Sequence, residues 1–534
     1  MLFLSSCSTL NTKLFSGESH TYYYTFYIND TLKYSVKLAG DNTQISDKKQ
    51  LVKALKRNKL ISNKKNVIDF LKTKSPPYYD LFLLEFKDKI FLDDFLTEKN
   101  FDSVNYLNND NQVEIMDSIS CMYGYGLSNS TGEYILLICF STLREQEIFK
   151  IMTKEYKEAF KTIVYSDDYR QALPSPFKIA GDYSLNYNDS TTNYLRPIEK
   201  LYKYKEMYEP NDFIYVQAIN TYSSRVSNSE VFDVYFEKYN GMVYRDIVAK
   251  DKFITNNLAV EKILSLCSKS NLAMFNENHF DIRHRLLLKV LLKDLYSIGY
   301  RYLALEALSE GKEKINKRGY PVQSSGFYTL EPEMADLIRQ AIDIGFTVFG
   351  YDSHEGNREV SQAKNIYENS FYSDSLAKVV VLGGHDHIHE GNNNKKWMGF
   401  YINDLYGINP TTFSQTSVEV IDSIWLGIVK NDSLTKETVD YLISNNISEV
   451  NIPTNKVVNL CFELLSENPF KDDYIMSVYY ADEYNEDIKS IPVKNVIIPF
   501  ETNSITIFLQ LDIYIYTIRN KRGDLLHIEE FKND

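Results

Sequence analysis

Between residues 256 and 420 short apolar runs alternate with longer segments of helical period. The runs are Leu272–Asn276, Tyr302–Leu305, Thr347–Tyr351 and Val379–Gly384, each of a length that suits a buried strand. Between the first two, Leu286, Leu287, Val290, Leu291, Leu295 and Ile298 recur at helical spacing. Their face is too broad for a surface helix; Asp281 is placed to cap it and Gly299 to stop it. Glu331–Ile344, closed by Gly345, and Glu359–Ser370 repeat the pattern, while Lys396–Tyr406 reads as a helix and Thr411–Gln415 as a last strand. Strands separated by helices predict an α/β domain with a central, mostly parallel sheet flanked by helices. In such a sheet the C-terminal strand ends open on one edge, where ligands bind.

The flanks differ in pattern. Residues 1–255 mix β-like runs (Tyr22–Ile28, Leu81–Phe86, Tyr134–Phe140, Phe213–Ala218, Val231–Tyr239) with one helix near Leu143–Val164, and predict an α+β region with no assignable chemistry. Residues 421–534 return to β character and predict a β-rich C-terminal domain. There Ile505, Ile507, Leu509, Leu511, Ile513 and Ile515 alternate as one long half-buried strand over Ser504–Ile518.

Composition narrows the class. A net charge of −13 with no Lys/Arg-rich block argues against a partner whose phosphates must be tracked, and so against nucleic acid. Cys7, Cys121, Cys139, Cys267 and Cys461 are scattered, with neither zinc-thiolate spacing nor a disulfide framework. The opening Met-Leu-Phe-Leu-Ser-Ser-Cys7 is similar to the end of a bacterial lipoprotein signal, although its apolar stretch is short. The expectation is a cell-envelope lipoprotein attached to a membrane through lipidated Cys7, and otherwise a soluble protein. No apolar run approaches the ~18 residues of a membrane span.

The chemistry gathers in one window: six of the eight histidines lie between His279 and His389. Each strand-like run ends in acid or imidazole. The first leads to Glu277 and His279, where the carboxylate can orient the ring and raise its basicity; the bland alternative is a helix cap. Glu306 ends an otherwise apolar run, a costly place for a carboxylate unless it is paired or works as an acid or base. Asp352 and His354 follow the third run, and Arg358 is placed to hold an anion or to pair with Glu355. His385, His387 and His389 alternate, so in extended conformation they share a face that suits an ion. The catalytic candidates are therefore Glu277, His279, Glu306 and His387. His284, Asp352, His354 and Arg358 are candidates for substrate or cofactor binding. Glu277, His279, His385 and His387 are the donor set if a divalent metal takes part.

Asn276-Glu277-x-His279-x-Asp281-x-x-His284-Arg285, then Leu305-Glu306-Ala307, then Asn357-Arg358-Glu359 ahead of Asn365-Ile366, then Val379–Gly384 ending at His387, resembles the erythromycin esterase/ChaN/Tiki superfamily. The resemblance covers roughly residues 270–415. Asn276 stands where the family has glycine, and Glu359 where it usually has aspartate. Members include metal-free macrolide-ring esterases, metal-dependent membrane-tethered proteases and haem-binding lipoproteins. The resemblance thus implies a hydrolase of ester or amide bonds, acting on a small molecule or peptide through Glu/His chemistry. It also implies two alternatives: a haem-binding protein using the ChaN-like second histidine, His284, or a surface module without catalysis.

Overall fold

The computed structural model describes residues 245–452 except 392–394, and 455–461, 473–499 and 504–533 except 522. It also describes 175–203 with 187 left out, 213–226, and a set of strands with one helix within 1–174. Cys7, the run Val231–Tyr239 and the expected helix at Leu143–Val164 lie outside the described residues, save that Val164 itself is in a short strand, Val164–Tyr165. The chain divides into two compact units, residues 2–183 with 204–210, and residues 184–203 with 211–534.

The larger unit is built on one eight-stranded sheet. Its strands are β1 (Ile254–Thr255), β2 (Leu272–Glu277), β3 (Tyr302–Leu305), β4 (Thr347–Gly350), β5 (Val379–Gly384), β6 (Thr411–Ser414), β7 (Leu426–Lys430) and β8 (Tyr441–Asn445). They lie in the order β1-β7-β8-β6-β2-β5-β3-β4. The six strands from β8 to β4 run parallel, and only β7 and β1 are antiparallel to their neighbours. The sheet takes in two strands beyond residue 420.

The helices are α1 (Asn257–Cys267), α2 (Arg283–Ser297), α3 (Lys312–Arg318), α4 (Pro332–Ile344), α5 (Arg358–Asn369) and α6 (Met398–Tyr406). Ala273, Phe275, Leu303, Leu305, Val380 and Leu382 pack with α1, α2 and α4 on one face. Leu272, Met274, Ala304, Val379 and Val381 pack with α5 and α6 on the other. Burial on both faces explains why these strands read as unbroken apolar runs rather than alternating ones.

Two expectations are corrected. Phe213–Ala218 is not β: Phe213–Ser223 is a helix with eight of its residues buried, Tyr215, Val216, Ala218, Ile219, Asn220, Thr221, Tyr222 and Ser223. A helix buried on most sides shows no polar stripe, so period alone does not separate it from a strand. Ser504–Ile518 is not one strand either. Ser504–Leu509 pairs with Lys456–Cys461, whereas Asp512–Asn520 pairs with Tyr474–Tyr480 and Leu525–Asn533. Between them Leu511 is 57% exposed, and beyond it Tyr514, Tyr516 and Ile518 join the core that Ile507 and Leu509 share, while Ile515 is buried in a second cluster with Tyr479, Ala481 and Tyr484. A one-residue change of phase exchanges the two faces of a strand, and even-numbered tyrosines hide that exchange from a hydrophobicity count.

The four-stranded sheet of the C-terminal region is antiparallel throughout. The short helix Ala481–Glu486 that follows its strand Tyr474–Tyr480 is tied to α4 by Arg339, which donates to both oxygens of Glu483 at 2.7 Å. In the smaller unit six antiparallel strands, Asn42–Gln44, Val67–Thr73, Tyr79–Phe86, Tyr134–Ser141, Cys121–Leu127 and Gln112–Met116, form one sheet over a core that includes Leu55, Phe70, Phe82 and Leu84. No helix among the described residues is long and apolar enough to cross a membrane.

Candidate functional site

Because β2, β3, β4 and β5 are parallel and adjacent in register, the residues that follow them emerge on the same edge. Glu277 closes β2 and His279 follows two residues later. The His279 Nδ1 lies 2.8 Å from Glu277 Oε1. Glu277 is also gripped by Arg285, whose Nε donates to Oε2 at 2.9 Å and whose Nη2 lies 3.3 Å from Oε1. The same guanidinium donates to the His279 carbonyl and to Glu331 Oε2, both at 2.6 Å. Glu331 in turn accepts from the backbone of Glu333 and Met334 and so caps α4. Burial would raise the Glu277 carboxyl, but Arg285 and His279 outweigh it and bring it down to about 2. Glu331, beside the same guanidinium, is instead shifted upward, since burial and the neighbouring Glu333 prevail there. Glu277 is thus ionised, and an ionised carboxylate accepts a hydrogen bond from the Nδ1–H of a neutral imidazole and leaves Nε2 as an acceptor.

Glu306 follows β3 and meets the end of β5. Its Oε2 accepts from the Gly384 N–H, and its Oε1 accepts from Arg358 Nη2 at 2.7 Å. The His387 Nε2 lies 3.4 Å from the same Oε1, and the His387 Nδ1 lies 2.7 Å from Glu359 Oε2. Burial alone would raise the Glu306 carboxyl. Hydrogen bonds from His387 and Gly384 hold it well below the usual range. Burial likewise opposes the His387 cation, yet the carboxylates of Glu306 and Glu359 lift its imidazole to about 9. The two groups thus form an ionised carboxylate beside an imidazolium at neutral pH. Arg358 also donates to Asp352 at 2.9 Å, and Gln362 supports Asp352 at 2.7 Å.

These halves meet over Gly384. A methyl carbon built on Gly384 would lie 3.0 Å from both His279 Nε2 and Glu306 Oε2. Glycine here leaves room for side chains arriving from two different strands. Tyr328 covers the outer face of His279, with ring centroids 4.0 Å apart and planes 22° apart. Trp397 meets His387 edge-on at 5.8 Å.

Other candidates are placed differently. His354 is 72% exposed and lies 3.9 Å from Asp352. His284 is buried in α2; its Nδ1 accepts from the Asn278 N–H at 2.9 Å and its Nε2 lies 3.7 Å from Asp281. Buried, with Nδ1 claimed by the backbone and Nε2 facing the Asp281 carboxylate, it does not fit an axial haem ligand. His385 is half-buried, and its backbone N–H donates to the Glu277 carbonyl at 3.1 Å. Nor do Glu277, His279, His385 and His387 fit a metal donor set. Arg285 and His279 occupy both Glu277 oxygens and Glu359 occupies the His387 Nδ1. Among the described residues no group of three or more His, Cys, Asp and Glu is arranged to hold an ion.

Sequence reasoning assigned no role to Arg285, Glu331 or Tyr328. Arg285 left one signal: it is in helical phase with Leu288 and Leu292, both fully buried, and a charged residue on such a face needs partners. Asn276, the departure from the family glycine, is wholly buried and makes a lattice of its own. Its Nδ2 donates to the His385 carbonyl and to Thr416, at 2.9 and 2.8 Å, while its Oδ1 accepts from the Gln415 N–H at 2.6 Å. These bonds tie the end of β2 to the segments that follow β5 and β6.

Neither protein-family models nor the sequences of characterised proteins match the chain. Among solved structures it is similar to the type III effector HopBA1, with a TM-score of 0.25 and 14% identity over 38% of this chain and 100% of that one. It is also similar to RRSP, a MARTX toxin effector domain from Vibrio vulnificus CMCP6, with a TM-score of 0.20 and 13% identity. That alignment covers 36% of this chain and 46% of the other. Likenesses at these scores carry no functional argument.

Proposed function

We propose that the chain is a hydrolase of ester or amide bonds in which His279 is the general base. The observation that carries this reading is the pairing of a Glu277-anchored Nδ1 with an Nε2 that shares the space over Gly384 with Glu306 Oε2, each 3.0 Å from the position of a carbon built there. Water held between His279 Nε2 and Glu306 gives its proton to His279 as its oxygen adds to the carbonyl carbon. Collapse of the adduct breaks the bond to the leaving oxygen or nitrogen, which takes up one proton, so that acid and alcohol or amine balance the water consumed. Glu306, held ionised, is an acceptor that orients water and not a proton donor at neutral pH. The His387 imidazolium is the donor suited to the leaving group, with Arg358 beside it to balance developing negative charge. The order of motifs that resembles the erythromycin esterase/ChaN/Tiki superfamily supports the same reaction class.

A panel of esters, lactones and peptides assayed with wild type and His279→Ala tests this. A positioned base contributes about 10²–10⁴-fold, so the variant should lose that much on any substrate turned over. Activity that needs the His387 cation should also fade as the pH climbs through about 9. Equal rates for the two proteins across the panel would remove His279 as the base.

A further inference from the structure

The helix Phe213–Ser223 carries no motif, yet the residues at its end reach the site. Arg225 is buried, and its guanidinium carbon lies 4.4 Å from the ring centroid of Tyr222 and 4.5 Å from that of Phe327. Its Nη2 donates to the Phe327 carbonyl at 3.0 Å. From the C-terminal sheet, Asn495 Nδ2 donates to the Arg225 carbonyl at 3.0 Å, and Asn495 itself accepts from Ser477. Phe327 meets Tyr328 edge-on at 5.1 Å, and Tyr328 lies flat on His279. A continuous set of contacts therefore runs from the C-terminal sheet to the imidazole.

We infer that Tyr328 is a positioning residue for His279 and that Arg225 sets Tyr328 in place, which makes residues 213–226 a working part of the site. The bond to Glu277 fixes one edge of the imidazole but permits the ring to swing about it. A flat aromatic face removes that swing and keeps Nε2 directed at the space over Gly384. Arg225, lying in the corner where the Tyr222 and Phe327 rings meet edge-on and bonded to the Phe327 carbonyl, holds the turn that presents Tyr328. Burial and the nearby charges of Glu306 and Glu277 keep the Tyr328 phenol up at about 12, so its ring is neutral throughout the working range and acts by shape. The catalytic consequence rests on the reading of His279 as base, whereas the placement of the ring does not.

The test is carbethoxylation of the folded protein by diethyl pyrocarbonate, with the rate at each histidine resolved by peptide mass spectrometry. Tyr328→Ala should speed modification of His279 relative to His354 by roughly fivefold, the scale of one ordered ring contact. Tyr328→Phe should retain the wild-type rate, and Arg225→Met should speed His279 although it does not touch it. Tyr328→Leu serves in place of the alanine variant if that chain does not fold. An unchanged His279 rate in the Ala or Leu variant would overturn the inference, as would an equal rise at buried His284, which signals general loosening. A wild-type rate in Arg225→Met would overturn the part assigned to residues 213–226. A protein that hydrolyses nothing yet gives the expected pattern would sink the base reading and support the positioning.

Discussion

Glu277→Gln is expected to abolish nearly all hydrolysis while leaving the protein folded. The stronger Arg285 contact is Nε to Oε2 at 2.9 Å, against 3.3 Å from Nη2 to Oε1, so a glutamine at this position keeps its carbonyl oxygen toward Nε. Its amide N–H₂ then faces His279 Nδ1, where the native carboxylate accepts at 2.8 Å. A donor facing Nδ1 forces that nitrogen to become the acceptor and moves the ring proton to Nε2. With Nε2, the nitrogen over Gly384, carrying the proton, the imidazole is in the wrong tautomer to take one from water. The corresponding Asp-to-Asn change in a Ser-His-Asp triad costs about 10⁴ in kcat through the same fault, and a loss of that order is expected here. Steady-state kinetics on any substrate found by the panel, with circular dichroism to confirm folding, is the check. A variant within tenfold of wild type would show that Glu277 does not set the tautomer.

Arg285→Met is expected to be the most damaging single substitution for stability. Arg285 is wholly buried and balances two buried carboxylates, Glu277 and Glu331, which the methionine would leave without a counterion. Removing one partner of a buried ion pair costs about 3–5 kcal/mol. The pH dependence has a definite sign. The Glu277 carboxyl is depressed when folded, to about 2 from an ordinary 4.5, so its contribution is present above about 4.5 and is lost as the pH falls through about 2. The methionine variant lacks the larger cause of that depression, the Arg285 charge, and keeps only the contact with His279. Its deficit relative to wild type should therefore be largest above about pH 4.5 and should narrow toward pH 2. Urea denaturation of both proteins at pH 7, 5 and 3.5 measures it. A constant difference across these values would contradict the ion-pair account.

How much of this was legible in the sequence follows from the kind of information each feature needs. The parallel core was readable because Leu272–Asn276, Tyr302–Leu305 and Val379–Gly384 are short, apolar and separated by helix-length segments, and topology then dictates a common edge. Glu277, His279, Glu306 and His387 could be named because each stands just beyond such a run. Nearness to a strand end does not fix side-chain direction, however. Asp352 is engaged by Arg358 and Gln362, while His354, two residues away, faces solvent. His284 follows His279 by five positions but falls on the inner side of α2, where the Asn278 backbone claims it. Arg285, Glu331, Tyr328 and Arg225 become partners only through tertiary contacts between segments far apart in the chain, which no local period encodes. The helix at Phe213–Ser223 was hidden by burial on most of its sides, and the division of Ser504–Ile518 by a change of phase.

The central claim is that side chains from separate strand ends act together at one point beside Gly384. A double-mutant cycle of His279→Ala and Glu306→Gln, read as kcat/KM, tests it most directly. Groups that work on the same water lose their effect together, so the double variant should be scarcely slower than the slower single one. If the two losses instead multiply in full, His279 and Glu306 act independently and the shared site is contradicted.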